Sequence, residues 1–166
     1  MYEKLLTLPK INEVMINLSK FISDCVVKRP QSMFQFDIEA NHQALQTEIE
    51  SRKILVIGGA GTIGSSFIKA LLKFRPGTLV VVDINENGLT ELTRDLRSSG
   101  GYVPLDYVTY PMSYADPVFE KMFRARGGFD IVANFSAHKH VRSEKDIYSV
   151  EALLQNNVIQ ARKLLD

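Results

Sequence analysis

Gly58, Gly61 and Gly64 stand three residues apart, directly after the apolar run Lys53-Ile-Leu-Val-Ile57. Between a strand and a helix, that spacing suits an anion. One glycine permits a tight turn, one lets the main chain come against a pyrophosphate, and one lets the helix sit close to the strand. The helix that begins here aims free N–H groups and its positive dipole end at the same point. Asp83 closes a second apolar run 19 residues beyond Gly64, near the spacing of about 20 at which an acid meets an adenosine ribose. A carboxylate there accepts from both ribose hydroxyls and repels a 2′-phosphate, so NAD is expected in preference to NADP. The competing role for Asp83 is capping of the helix that follows. Arg94 and Arg97 lie too far along that helix to reach a 2′-phosphate and are expected on a solvated face.

The elements that must hold these residues alternate along the chain. Before them, Ile11, Val14, Met15, Leu18, Phe21 and Ile22 recur at spacings of 3 and 4 and predict a helix. Pro9 stands at its start, Cys25 is expected as a small core residue within it, and its apolar face is expected to cover the sheet or a second subunit. After a break at Lys28–Ser32, a second helix is expected from Asp37, as N-cap, to Ile49, with His42 exposed on it. Residues 1–50 thus read as a helical N-terminal extension and 51–166 as an incomplete Rossmann domain. From Lys53 the text reads strand, then helix over Thr62 to about Phe74 with Ile63, Phe67, Ala70 and Leu71 inward, stopped by Pro76-Gly77. Strand two is Thr78–Asp83, apolar enough for burial on both faces. Helix two spans about Glu86 to Arg97 with Leu89, Leu92 and Leu96 inward. Strand three lies within Tyr102–Met112, a helix follows over about Asp116–Ala125, strand four is Asp130–Phe135, and a last helix starts near Tyr148. The fold class is α/β: a Rossmann-type parallel sheet with helical crossovers on both faces.

Composition narrows the function classes. The chain has 166 residues, 20 Lys and Arg against 19 Asp and Glu, and a net charge of +1. That balance carries no nucleic-acid or membrane footprint. A single cysteine excludes a disulfide framework and fits a reducing compartment. No apolar run approaches the roughly 20 residues of a membrane span, and Met1-Tyr-Glu-Lys opens no secretory signal. A cytoplasmic location is expected, with neither nucleic acid nor membrane as partner. No Cys, His or carboxylate cluster has metal-ligand spacing, so no metal is expected.

Two stretches and a helix carry a family resemblance. Gly-Gly-Ala-Gly-Thr-Ile-Gly (58–64) resembles the glycine motif of the extended short-chain dehydrogenases/reductases, with Ile57 where that family commonly has Thr. Phe135-Ser-Ala-His-Lys-His-Val141 resembles the Ala-Ala-Leu-Lys-His-Val motif of the nucleotide-sugar 4,6-dehydratases of polysaccharide biosynthesis, the UDP-N-acetylglucosamine type. Lys139, His140 and Val141 match directly; His138 replaces Leu, and Phe135-Ser136 replace small residues. Gln155-Asn-Asn-Val158 with Arg162-Lys-Leu-Leu165 is similar to the family's Thr-Asn-Val helix, Asn157 taking the place of its structural Asn. Lys28-Arg-Pro30, then Asp37, is similar to a linker in longer members. The resemblance covers about residues 28–166.

The resemblance implies an NAD cofactor, a nucleotide-sugar substrate and a reaction in three stages. Hydride leaves C4 of the sugar for NAD+, water is lost across C5 and C6, and the hydride returns to C6. It implies that Thr62 and Ile63 join Gly58, Gly61 and Gly64 at the pyrophosphate, that Ile84 and Asn85 join Asp83 at the adenosine ribose, and that Phe135, Ser136 and Ala137 line the nicotinamide ribose at the carboxyl edge of the sheet. Lys139 then stands at the cofactor and, with His140, at the substrate, where a lysine meets a diphosphate or a sugar hydroxyl. Ser113 falls where the family often has an Asp near adenine, a departure at that contact. The superfamily's Tyr-x-x-x-Lys pair is missing: no Tyr here has a Lys four residues on. The branch's Asp-Lys pair follows a fifth strand, and the chain ends at Asp166, before one. No catalytic residue is therefore expected in this segment, which reads as the cofactor-binding part of a longer enzyme, inactive alone and homo-oligomeric when whole. The alternatives are a nucleotide-sugar epimerase or reductase of the same superfamily, and a non-catalytic dinucleotide-sensing protein.

Overall fold

β-Branched and leucine text with no charged residue inside it makes strands that can be buried on both faces. In the computed structural model, which describes residues 17–29, 31–139 and 146–165, such runs form β1 Lys53–Ile57 and β2 Thr78–Asp83, the buried middle strands of a parallel four-stranded sheet completed by the more exposed β3 Asp106–Pro111 and β4 Ile131–Asn134. Their spatial order is β3-β2-β1-β4. Leu55 of β1 lies opposite Val80 of β2 and Val132 of β4, and Val80 lies opposite Val108 of β3. β1 and β4 are neighbours although two strands separate them in sequence. The chain order therefore reverses beside β1, and in such sheets ligands collect at the carboxyl ends of the strands at that point.

The alternation of side chains along β1 and β2 makes two cores. Ile54, Val56, Leu79 and Val81 face one side, where α4 (Thr62–Leu71, extended by a 3-10 turn to Phe74) and α5 (Glu86–Ser98) pack with Ile68, Leu71, Leu72, Leu89, Leu92 and Leu96. Leu55, Ile57, Val80 and Val82 face the other, against Tyr114 and, from α6 (Pro117–Ala125), Phe119 and Met122. α6 ends at Ala125, and Gly127 and Gly128, both at positive φ, turn the chain away beyond it. The last helix runs as α7 (Ile147–Leu154) into a π-helical segment, Gln155–Gln160.

The chain divides into two compact units, Met1–Asn41 and His42–Asp166. The described part of the first contains α1 (Leu18–Phe21), a π-helical stretch Ile22–Val27 and α2 (Gln35–Ala40). Lys28, at φ 55°, caps the π stretch by donating its N–H to Ser23. No described residue of this unit is buried. Leu18, Phe21 and Ile22 are exposed, while Pro9, Ile11, Val14 and Met15 lie outside the described residues. Cys25 is exposed and not a core residue, because within its unit no described element packs over the π stretch.

The helix expected as one piece over Asp37–Ile49 is two. α3 (His42–Ile49) belongs to the second unit, and Asp37 lies inside α2 rather than at its cap. The break is at Asn41, whose side chain donates to the Asp37 carbonyl (2.8 Å) and so competes with the helical ladder. His42 is exposed as expected, with its ring 5.4 Å from that of Phe74. The inner face of α4 follows expectation in part: Leu71 is buried and half-buried Phe67 packs on the core, whereas Ile63 and Ala70 are exposed and Gly64 and Ile68 are buried in their stead.

Candidate functional site

The three glycines each meet a different constraint. Gly58 leaves β1 at φ 75°, and a Cβ there would stand 2.5 Å from the Ser136 nitrogen. Only a residue without a side chain lets the ends of β1 and β4 come this close. A Cβ on Gly64 would be 2.3 Å from the Gly58 carbonyl oxygen, so this glycine holds α4 against the turn. A Cβ on Gly61 would meet only that same oxygen, at 3.4 Å, and the residue is exposed. Gly59, buried beneath the loop, is excluded from bearing a side chain by Val81.

Gly61 is the N-cap of α4 and no side chain caps the helix. The first hydrogen bond of α4 runs from the Ser65 N–H to the Gly61 carbonyl, 2.9 Å. The amides of Thr62, Ile63 and Gly64 are thereby the orphan donors of a ten-residue helix. Their dipole favours a negative group at this corner. The Ile63 side chain is exposed, so its contribution is its backbone.

Asp83 stands at the end of β2 beside the loop. Its Oδ2 accepts from the Ala60 N–H and its Oδ1 from the Asn85 N–H, each at 2.9 Å. It does not cap α5; Asn85 does, its Oδ1 accepting from the Gly88 N–H at 3.0 Å. A carboxylate offers about four acceptor positions, so Asp83 can brace the loop and still take two hydroxyls. Ile84 follows, exposed.

Gly58, Gly61, Asp83 and Ile84 border a cleft of about 450 Å³ at the carboxyl edge of the sheet. Of the residues picked out by the sequence, it gathers Gly58, Gly61, Asp83, Ile84, Ser113, Phe135, Ser136 and Ala137. Ser113 is held by its own turn: its N–H donates to Asp116 Oδ2 and its Oγ accepts from the Ala115 N–H, both at 3.1 Å. Phe135 donates its N–H to the Ile57 carbonyl (2.8 Å) and stacks at 4.9 Å on Phe67. Ser136 donates both its N–H and its hydroxyl to Asn134 Oδ1, at 3.0 and 2.7 Å. Thr62, Ile63, Gly64 and Asn85 flank the cleft in sequence without lining it, and Lys139 is exposed outside the lining. His140 lies outside the described residues.

The cleft also brings in Met112, Tyr114, His138 and Asn156, which sequence reasoning does not single out as ligand-facing. Their only signal is adjacency to Ser113, Ala137 and Asn157. Asn157 itself acts as the structural asparagine of the resemblance: its Oδ1 accepts the His138 N–H (2.8 Å) and its Nδ2 donates to the His138 carbonyl (3.0 Å). Asp146 caps α7, its carboxylate accepting from the Tyr148 and Ser149 amides and from the Ser149 hydroxyl. Those bonds, the Ser149 amide foremost, hold its carboxyl below the ordinary range. Among the described residues no group of three or more His, Cys, Asp or Glu is placed to hold a metal ion, and no helix is long and apolar enough to cross a membrane.

An uncapped helix start, a bare loop of glycines and a braced carboxylate in one cleft fit the diphosphate and ribose of a dinucleotide. Comparison with known proteins agrees on the fold. The chain is similar to Pen from Bacillus thuringiensis (TM-score 0.58, 21% identity, 70% of this chain and 34% of that one). It is also similar to the Bordetella bronchiseptica enzyme WbmF, solved with NAD+ and UDP (TM-score 0.51, 20% identity, 71% and 32%). Among curated proteins it is 32% identical over 124 residues to an uncharacterized membrane protein of Methanocaldococcus jannaschii, covering 75% of this chain and 34% of that protein. To the "Probable polysaccharide biosynthesis protein EpsC" of Bacillus subtilis it is 23% identical over 125 residues, covering 74% and 20%. The chain thus spans about a third and a fifth of these relatives' lengths. The model of one family, described as polysaccharide biosynthesis protein, matches residues 54–166. The chain belongs to the polysaccharide biosynthesis protein family.

Proposed function

We propose that this chain is the cofactor-binding part of an NAD-dependent nucleotide-sugar enzyme of polysaccharide biosynthesis, of the 4,6-dehydratase type acting on a UDP-N-acetylglucosamine-like substrate. The observation that carries the reading is the single cleft, at the point where strand order reverses, that unites the glycine loop, the open start of α4 and Asp83. In this reading the backbone of Gly58, Gly61, Thr62, Ile63 and Gly64 holds the pyrophosphate. Asp83, Ile84 and Asn85 hold the adenosine ribose, and Ser113 stands by the base. Phe135, Ser136 and Ala137 line the nicotinamide ribose, with Lys139 and His140 toward the substrate. The bound nicotinamide supplies acceptance and return of a hydride, the step no side chain performs. The protein's part is to fix the cofactor and keep the sugar in line with it. The family match supports the biosynthetic setting, and the resemblance of residues 135–141 supports the dehydratase branch. That WbmF was solved with NAD+ and UDP supports a nucleotide sugar as substrate.

Calorimetric titration tests the cofactor half. NAD+ is expected to bind this chain at least about tenfold more tightly than NADP+, and Asp83→Asn to weaken NAD+ while narrowing the gap, since one charge-assisted acceptor is worth about 1.5–3 kcal/mol. A preference for NADP+ overturns the role given to Asp83. Product analysis of the longer protein tests the reaction: a 4-keto-6-deoxy sugar is expected, and a 4-epimer without dehydration refutes the dehydratase assignment.

A further inference from the structure

We infer that Tyr114 is a positioning residue that couples the two ends of the cleft, acting through Asn156 and Asn157 on the backbone of His138. Tyr114 follows β3, next to Ser113, and is 8% exposed. Its ring meets Phe119 edge-on, centroids 6.5 Å apart at 81°, so packing aims the hydroxyl. That hydroxyl donates to the main-chain carbonyl of Asn156. Asn156 Nδ2 donates in turn to Asn157 Oδ1 (2.9 Å), the same oxygen that takes the His138 N–H. Asn157 Nδ2 completes the clamp on the His138 carbonyl. The bonds run from the loop after β3 to the loop after β4, the two outer strands of the sheet, without passing through the strands between them.

Two features mark this as more than loop packing. Both asparagines lie in the π-helical segment Gln155–Gln160, a wider turn that is frequent at functional sites. It places the Asn156 carbonyl, the Asn156 amide and the Asn157 amide where all three take part in the same run. In addition, Tyr114, His138 and Asn156 all border the cleft. The bonds between them therefore set the distance between the wall that carries Asp83 and Ser113 and the wall that carries Ser136 and Ala137. Under the dinucleotide reading, on which the ligand half of this inference rests, a residue at the adenine end governs how well the nicotinamide end is held.

The test uses Tyr114→Phe, Asn156→Ala and the double variant in the full chain. Phe keeps the ring packed, and Asn156→Ala keeps the carbonyl that Tyr114 uses while cutting the link to Asn157. Without ligand, the His138 amide is expected to exchange hydrogen about 5-fold faster in either single variant, the value of one hydrogen bond of about 1 kcal/mol. In the double it should exchange no faster than in the quicker single, because the two act in one run. With ligand, NAD+ is expected to bind each single variant about 5-fold more weakly, and AMP less than about 2-fold more weakly. His138 exchange unchanged in Tyr114→Phe, additive effects in the double, or equal losses for AMP and NAD+ each overturn the inference. If the unaltered chain binds neither NAD+ nor AMP, the functional reading fails, and hydrogen exchange alone still decides the coupling. Should Tyr114→Phe not fold, Tyr114→Leu, which also removes the hydroxyl, supplies the same readouts.

Discussion

A methyl group added at Gly58 would stand 2.5 Å from a backbone nitrogen, on a residue at φ 75°; one added at Gly61 would meet a single oxygen at 3.4 Å, at φ −71°. The same substitution in the same loop therefore separates folding from binding. Gly58→Ala combines a left-handed cost of roughly 1–2 kcal/mol with a backbone clash that forces β1 and β4 apart. It is expected to lose about 3 kcal/mol or more of stability in urea denaturation. Gly61→Ala is expected to stay within about 1 kcal/mol of the unaltered chain, since its conformation suits alanine. It should nevertheless lose tenfold or more in NAD+ affinity, because the methyl occupies the face that the diphosphate must approach. Gly61→Ala binding as tightly as the unaltered chain would place the phosphates elsewhere. Asp83 shows the converse economy at this scale: one side chain braces two amides, at Ala60 and Asn85, and keeps acceptor capacity for a ribose.

Helix starts carry the next level of organisation, and α7 gives it a pH dependence. The carboxylate of Asp146 accepts from two amides and a hydroxyl, which lowers its pKa in the folded chain. A lowered folded value means that its contribution is complete above the ordinary carboxylate pKa and is lost as pH falls through the folded one. Protection of the first-turn amides of α7, read by hydrogen exchange, is therefore expected to fall with acid in that window. Asp146→Asn, which still caps but does not titrate, should show no such fall, and an identical acid profile in the two would refute the cap as its source. Elements of this kind were unequally legible. β1, β2 and α5 declare themselves because burial on both faces, or on one strict stripe of Leu89, Leu92 and Leu96, leaves no other reading of the text. The inner face of α4 does not, because it is fixed by Gly64: once that glycine must touch Gly58 and Gly59, Ile68 and Leu71 follow inward, and Ile63 and Ala70 turn out. Apolar periodicity is silent about a helix oriented by a glycine. Of the cleft residues picked out by the sequence, Gly58, Gly61 and Asp83 follow from glycine spacing and strand ends, while Ser113, Phe135, Ser136 and Ala137 rest on the family resemblance. Tyr114 and Asn156 were not foreseen, since their bond joins residues 42 apart through nothing local.

At the scale of the whole chain, both cores are built from residues of the second unit. Every member of the two buried clusters lies between Ile54 and Met122, and the partly buried residues packed on them lie between Ile49 and Leu164. The described residues of Met1–Asn41 contribute none, and Phe21, Met33, Phe34 and Phe36 remain exposed in that unit. Burial of side chains such as Ile54, Leu55 and Ile68 stabilises by roughly 1.5–3 kcal/mol each, so the stability of the sheet is expected to be independent of the first unit. A chain beginning at His42 should unfold in one transition, with a midpoint within about 2 °C of the full chain, where 1 kcal/mol would move a domain of this size by about 4 °C. It should also keep its NAD+ affinity, because every described residue bordering the cleft lies between Ile57 and Asn156. Circular dichroism melts and calorimetry on the two chains measure both quantities. A midpoint lower by more than about 5 °C would show that residues 1–41 are structural to the sheet. An unchanged midpoint with lost affinity would instead assign them to the site.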